Sequence, residues 1–325
     1  MEARIAILET QLLQAQPREG LLDFPALCDI LAPAPFPGPR RVAHFDMVFK
    51  HPAKDLANAF ATEGSPSCPP KDQSQVQSLL TTRQFTRWLN SDSHALLYVD
   101  AALQAADKPL SAASLFSAKL IAGTAAVFER TAIVLHFFCG LHCRPRDAWH
   151  GPVGMVRSLI LQLLMRLVDM DPEMKRWGLE FVWNEQIVQN LEEWYLPELC
   201  SAFHALLREV PEGMTVFVVL DSVLYLDRRE MQLDWEFVLD GFLRSLVGDR
   251  ELPVVMKVLM VNQAKGRPDL RSLPVFQARE GERWVELNGA WGSGEGMVGK
   301  MVEGQLRQAT GQKVSARGRG RQEGE

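Results

Sequence analysis

The sequence predicts a three-layer α/β fold, a parallel sheet sandwiched between helices. Four runs, 95–100, 132–138, 215–221 and 254–261, are apolar throughout instead of alternating with polar residues. Strands apolar on both faces are buried on both faces, as in parallel sheets covered by helices. The runs also alternate with segments of helical spacing, the pattern that builds such sheets. Finally, the run "TVFVVLDS" ends in Asp221. Ligands in open α/β sheets bind beyond the carboxyl ends of the strands, so an acid there sits where chemistry is done.

The elements follow in order. Residues 1–16 space Ile5, Leu8, Leu12 and Leu13 as a helix or a coiled-coil fragment. Residues 17–73 read as a proline-rich linker, because "LAPAPFPGPRR" and "TEGSPSCPPKDQ" cannot be regular structure, with "VAHFDMVFKHPAKDLANAF" as a short docked segment between them. The α/β domain is expected over 75–288. "VQSLLTTRQFTRWLN" has helical spacing, then comes the run "ALLYVD", then a helix over 110–128, then "TAIVLHFF". "GPVGMVRSLILQLLMRLVDM" lines one helical face with Val156, Leu159, Ile160, Leu163, Leu164, Leu167 and Val168. "LPELCSAFHALLREV" opens with Pro197, which suits a first helical turn. "LDWEFVLDGFLRSLVG" reads as helix before the last run. Residues 289–325 hold 10 of the 23 glycines and end "SARGRGRQEGE", the texture of a disordered tail.

Composition excludes some functions. The formal charge of −5 argues against a surface built for nucleic acid, and glutamates flank the short Arg-Gly run. The longest apolar stretch, "LIAGTAAVFERTAIVLHFF", carries Glu129 and Arg130 at its centre, so no membrane span is expected. The first residues lack a hydrophobic signal core, and five cysteines form no regular framework. Both point to a reducing, cytoplasmic compartment.

Several motifs carry candidate chemistry. Asp221 has the form of a Walker B acid, able to hold Mg²⁺, and equally of a strand-end turn residue. Asn262, ending "VMKVLMVNQ", can sense a γ-phosphate or cap the next turn. A phosphate loop needs glycines so that backbone N–H groups curl around oxygen, a Lys to neutralise charge and a Ser/Thr for the metal. "DAALQAADKPLSAAS" offers Lys108 and Ser111, but Pro109 and Leu110 break their spacing, alanines stand where glycines are needed, and Asp107 repels phosphate. "GEGMVGKM" at 294–301 approximates the glycine-lysine pattern but follows the Walker B-like strand, the wrong order. "HFFCGLHC" groups His136, Cys139, His142 and Cys143, donors zinc accepts, with His150 nearby, but no second pair at finger spacing follows. Buried thiols and loop histidines are the better reading there. No ordered Ser/His/Asp arrangement is apparent.

The succession "FTRWLNSDSHALLYVD", "AIVLHFFCGLH", "GPVGMVRSLILQLL", "LPELCSAFHALLREVPEGMTVFVVLDS" and "VMKVLMVNQ" resembles the NTPase core of fungal NACHT-like proteins of the STAND class, over residues 76–265. The resemblance implies a P-loop NTPase fold in which 95–100 is the Walker A strand, 215–221 the Walker B strand and 254–261 the sensor strand. Asp221 alone carries over cleanly. The family's Gly-Lys-Ser/Thr loop and its extra acids after the Walker B aspartate are missing, and Asn262-Gln263 replaces its sensor Thr/Ser-Arg. The expectation is a non-hydrolysing, cofactor-free domain acting by protein interaction, self-association or signalling. The alternative is a Mg²⁺-nucleotide switch, with ATP or GTP held by Lys108, Ser111, Asn262 and, through the metal, Asp221.

Overall fold

Five parallel strands form one sheet in the order β2-β3-β4-β1-β5: β1 is Ala95–Asp100, β2 Ala132–Phe138, β3 Thr215–Asp221, β4 Val255–Asn262 and β5 Trp284–Glu286. This computed structural model describes residues 24–33, 41–104, 107–171, 184–277, 282–287, 302 and 304–308. The four expected strands form where the apolar runs place them. Alternate residues serve opposite cores. Leu97, Val99, Phe217, Val219, Leu259 and Val261 face one, and Leu96, Tyr98, Val216, Val218, Val258 and Met260 the other. Burial on both faces is why these strands never alternate with polar residues.

The first face is covered by α3 (Pro70–Gln77), α4 (Arg83–Asn90) and α5 (Ala112–Val127). The second is covered by α6 (Gly151–Met170), α8 (Leu196–Arg208), reached through α7 (Glu185–Glu192), and α9 (Gln232–Glu236), which runs on through a π-helical stretch, Phe237–Leu243. The crossover from β1 to β2 thus runs over one face through α5, and the later crossovers run over the other. Neighbouring β1 and β4 send the chain to opposite faces, which makes the crevice at their carboxyl ends the topological switch point.

Both edges of the sheet are short or covered. β5 has three residues and was not foreseen. On β2, the Gln162 side chain pairs with backbone as a neighbouring strand would: His136 N–H donates to Gln162 Oε1 at 3.0 Å, and Gln162 Nε2 donates to His136 O at 2.8 Å. Such cover blocks pairing with other chains.

Three expectations need correction. The docked segment expected within 17–73 forms, as α2 (Arg41–Phe60), but the rest is not plain linker: α1 (Phe24–Leu31) precedes it, and α3 starts at Pro70 inside the break expected to be irregular. α1 packs on α6 and α7, and α2 on α5, α6 and β2. The helical spacing over 76–90 does not make one helix. Thr82 breaks it, its hydroxyl accepting from Phe85 N at 3.2 Å as the N-cap of α4. The tail is not wholly disordered: 304–308 is helical, and Val302 and Leu306 are fully buried against Gly123 of α5. The helix expected over 1–16 and the glycine-lysine stretch 294–301 lie outside the described residues.

Candidate functional site

The carboxyl edge of the sheet brings β1, β3 and β4 together with the start of α5. Ser111 is the N-cap of α5: its hydroxyl accepts from Ala113 N at 3.2 Å, and its own N–H donates to Ser114 Oγ at 3.1 Å. This reciprocal cap places Ser114 one turn into the helix, aimed at β3. Ser114 donates to Asp221 Oδ2 at 2.7 Å, Ser222 donates to the same oxygen at 2.8 Å, and Ser117 reaches Oδ1 at 3.4 Å. Asp221 is 1% exposed. Burial pushes its pKa up to about 6, against the lowering effect of the serine hydroxyls. Ser222 takes a left-handed backbone, φ 57°, uncommon without glycine, which turns its hydroxyl back onto the strand end.

The described residues of the loop between β1 and α5, 101–104 and 107–111, are tied across this edge. Leu103 N–H donates to Gln263 O at 2.8 Å, and Gln104 N–H to Asp72 Oδ1 at 3.2 Å. Gln263 Nε2 donates to Lys108 O at 2.8 Å, and Gln75 Nε2 to Ala101 O at 2.5 Å and Leu287 O at 2.8 Å. Pro109 O rests against Gly140, where a Cβ would sit 1.9 Å from that oxygen. The Lys108 carbonyl therefore faces inward. Its side chain is 56% exposed, with Nζ 3.5 Å from Asp107.

Of the four candidate nucleotide residues, the structure gathers Ser111 and Asp221 around Ser114. It turns the Lys108 ammonium out to solvent. Asn262 is fully buried; its Nδ2 donates to Tyr98 Oη at 3.3 Å, with Asp100 Oδ1 3.5 Å away. Asp100 Oδ1 also accepts from Gly266 N at 2.9 Å, so this end of the crevice holds the turn after β4. In the sequence Gln263 is marked only as part of the pair at the sensor position of the resembling family, and Ser114, equally central here, carries no recognisable signal.

A second cluster lies beyond the end of β2. The pair His51 and Asp55 sits one turn apart on α2, with His51 Nδ1 3.1 Å from Asp55 Oδ2. His142 Nε2 lies 2.8 Å from that same oxygen, and its Nδ1 2.9 Å from Asp147 Oδ1. His51 Nε2 lies 2.8 Å from Ser158 Oγ on α6. Burial opposes protonation of His142, but the bonds to Asp55 and Asp147 outweigh it and raise its pKa. Burial lowers that of His51 despite its bond to Asp55. The cysteine-histidine stretch thus divides. Cys139 is fully buried, burial holding its thiol well above the usual range, and His136 Nε2 turns to Pro52 O at 3.1 Å, while His142 joins the cluster. Ser158, His51 and Asp55 stand in the order of a hydroxyl–imidazole–carboxylate relay, an arrangement that sequence reading missed. Ser158 has no exposed surface and its oxygen already accepts from Gln162 Nε2 at 3.1 Å, so the relay offers no nucleophile to a substrate.

No family model, curated protein or solved structure matches the chain. The class established is therefore the architectural one, an α/β domain with a five-stranded, all-parallel sheet. Among the described residues, no helix is long and apolar enough to cross a membrane.

Proposed function

We propose that the chain is a P-loop-type domain, similar to NACHT-like STAND proteins, that has given up nucleotide and works as a protein-interaction or signalling module. One observation carries the reading: the carboxylate that would serve Mg²⁺ is buried and bonded to three serines, under a loop tied down through its own carbonyls. A phosphate cradle presents N–H groups inward. This loop presents the Lys108 carbonyl instead and sends its cation to solvent. The strand order supports the P-loop part of the reading, since the strands resembling Walker A and Walker B, β1 and β3, flank the sensor-like β4. An interaction role draws support from Leu233, 81% exposed, and Phe237, 39% exposed, one turn apart on the surface.

Nucleotide-dependent thermal stability tests this. The wild-type Tm is expected not to move with millimolar MgATP or MgGTP, and Asp221→Ala is expected to be equally insensitive. A rise in the wild-type Tm that Asp221→Ala abolishes would establish a nucleotide switch instead.

A further inference from the structure

We propose that His51 Nδ1, Asp55 Oδ2 and His142 Nε2 form a binding site for a divalent transition-metal ion of the zinc type. The three groups come from two separate segments, α2 and the turn after β2, and their ligand atoms all lie within 4.8 Å of one another. The two nitrogen–oxygen separations, 3.1 and 2.8 Å, approach the roughly 3.3 Å between neighbouring ligands on a tetrahedral ion with bonds of about 2.0–2.1 Å. Two imidazoles and a carboxylate form a donor set that zinc accepts, with a fourth position for water.

The outer shell points the same way. Metal-binding imidazoles characteristically donate their second N–H to an oxygen, which fixes the ring and aims the lone pair. Both rings here have that partner: Asp147 Oδ1 on His142 Nδ1, and Ser158 Oγ on His51 Nε2. Asp147 Oδ1 is itself held by Trp149 N at 2.8 Å. The His51 ring is stacked on Trp149 with centroids 4.3 Å apart, and His142 packs on Phe137 at 4.9 Å. When His142 gives its Nδ1 proton to Asp147, its Nε2 lone pair faces the Asp55 carboxylate across 2.8 Å, acceptor against acceptor. In that tautomer a metal ion fills the gap as well as a second proton on the ring does, whereas the Nε2–H tautomer donates to Asp55 directly. Metal titration separates the occupied from the unoccupied arrangement.

The probe is Co²⁺, followed by Zn²⁺ competition, on the full chain stripped with chelator. The expected result is one equivalent of Co²⁺ with visible bands of low-coordinate cobalt, no thiolate-to-cobalt charge-transfer band, and displacement by Zn²⁺. Asp55→Asn and His142→Ala are expected to abolish binding, and Asp147→Asn to weaken it about 10–100-fold. His204→Ala, which removes a histidine–carboxylate pair elsewhere, is expected to bind as wild type. The proposal is overturned if wild type binds no stoichiometric metal, if a thiolate band appears, or if Asp55→Asn and His142→Ala both bind as wild type. Should His142→Ala fail to fold, the wild-type cobalt spectrum decides alone.

Discussion

Ser114 of α5 and Asp221 of β3 are joined by a 2.7 Å hydrogen bond between residues with almost no exposed surface. The bond ties the first turn of the helix after β1 to the end of β3, across the place where a P-loop protein would hold metal and phosphate. The domain is stabilised there by its own side chains, and each consequence can be measured.

Asp221 titrates at about 6 in the folded chain, against 3.8 for an unperturbed carboxyl. A raised acid pKa means that the fold favours the neutral form. The penalty is absent below pH 3.8, grows up to about pH 6 and is full above it. Asp221→Asn removes it. Stability of the variant relative to wild type is expected to rise across that window by on the order of 3 kcal/mol. Urea unfolding at successive pH values measures this, and a difference independent of pH would refute it.

Gln263 is fully buried and fastens the loop at Lys108 O, while its Oε1 lies 3.2 Å from Ser222 Oγ. Gln263→Ala leaves buried polar groups unpaired, and a loss of about 1–3 kcal/mol is expected. Hydrogen exchange is expected to accelerate over 107–111 before the strands respond.

Gly140 stands where the loop crosses the end of β2, and a Cβ there meets Pro109 O at 1.9 Å. Gly140→Ala is expected to cost about 1–3 kcal/mol and to displace the same loop. An alanine variant as stable as wild type would contradict the close approach.

Arg157 anchors α1. Its Nε and Nη2 donate to Leu31 O at 2.9 and 2.6 Å, and its guanidinium lies 3.4 Å from the centroid of the Trp194 ring. A planar fork against a ring is not reproduced by an ammonium. Arg157→Lys is therefore expected to lose most of what Arg157→Ala loses, about 2–4 kcal/mol. Tryptophan emission is expected to shift as Trp194 is released.

The sheet was legible because its strands are buried on both faces, so Val216–Leu220 and Val258–Val261 read as unbroken apolar runs. β5 was not, because three residues carry no period. α2 was obscured by Pro52 in its interior, and the 76–90 helix was overextended because a lone Thr82 cap does not disturb the apolar spacing. Asp221 was legible from its strand. Its saturation by Ser114, Ser117 and Ser222 was not, since small hydroxyl residues in an alanine-rich helix read as packing. The His51–Asp55 pair drew no attention because its partner, His142, is 87 residues from Asp55 in the chain, a proximity that only the docking of α2 creates.

The central claim is that the carboxyl edge of the sheet is closed to nucleotide. Calorimetric titration of MgATP, then MgGTP, into the full chain tests it most directly. The account predicts no heat of binding at millimolar nucleotide. Saturable binding in the micromolar range, lost in Asp221→Ala, would contradict it and show that the loop lifts to admit phosphate.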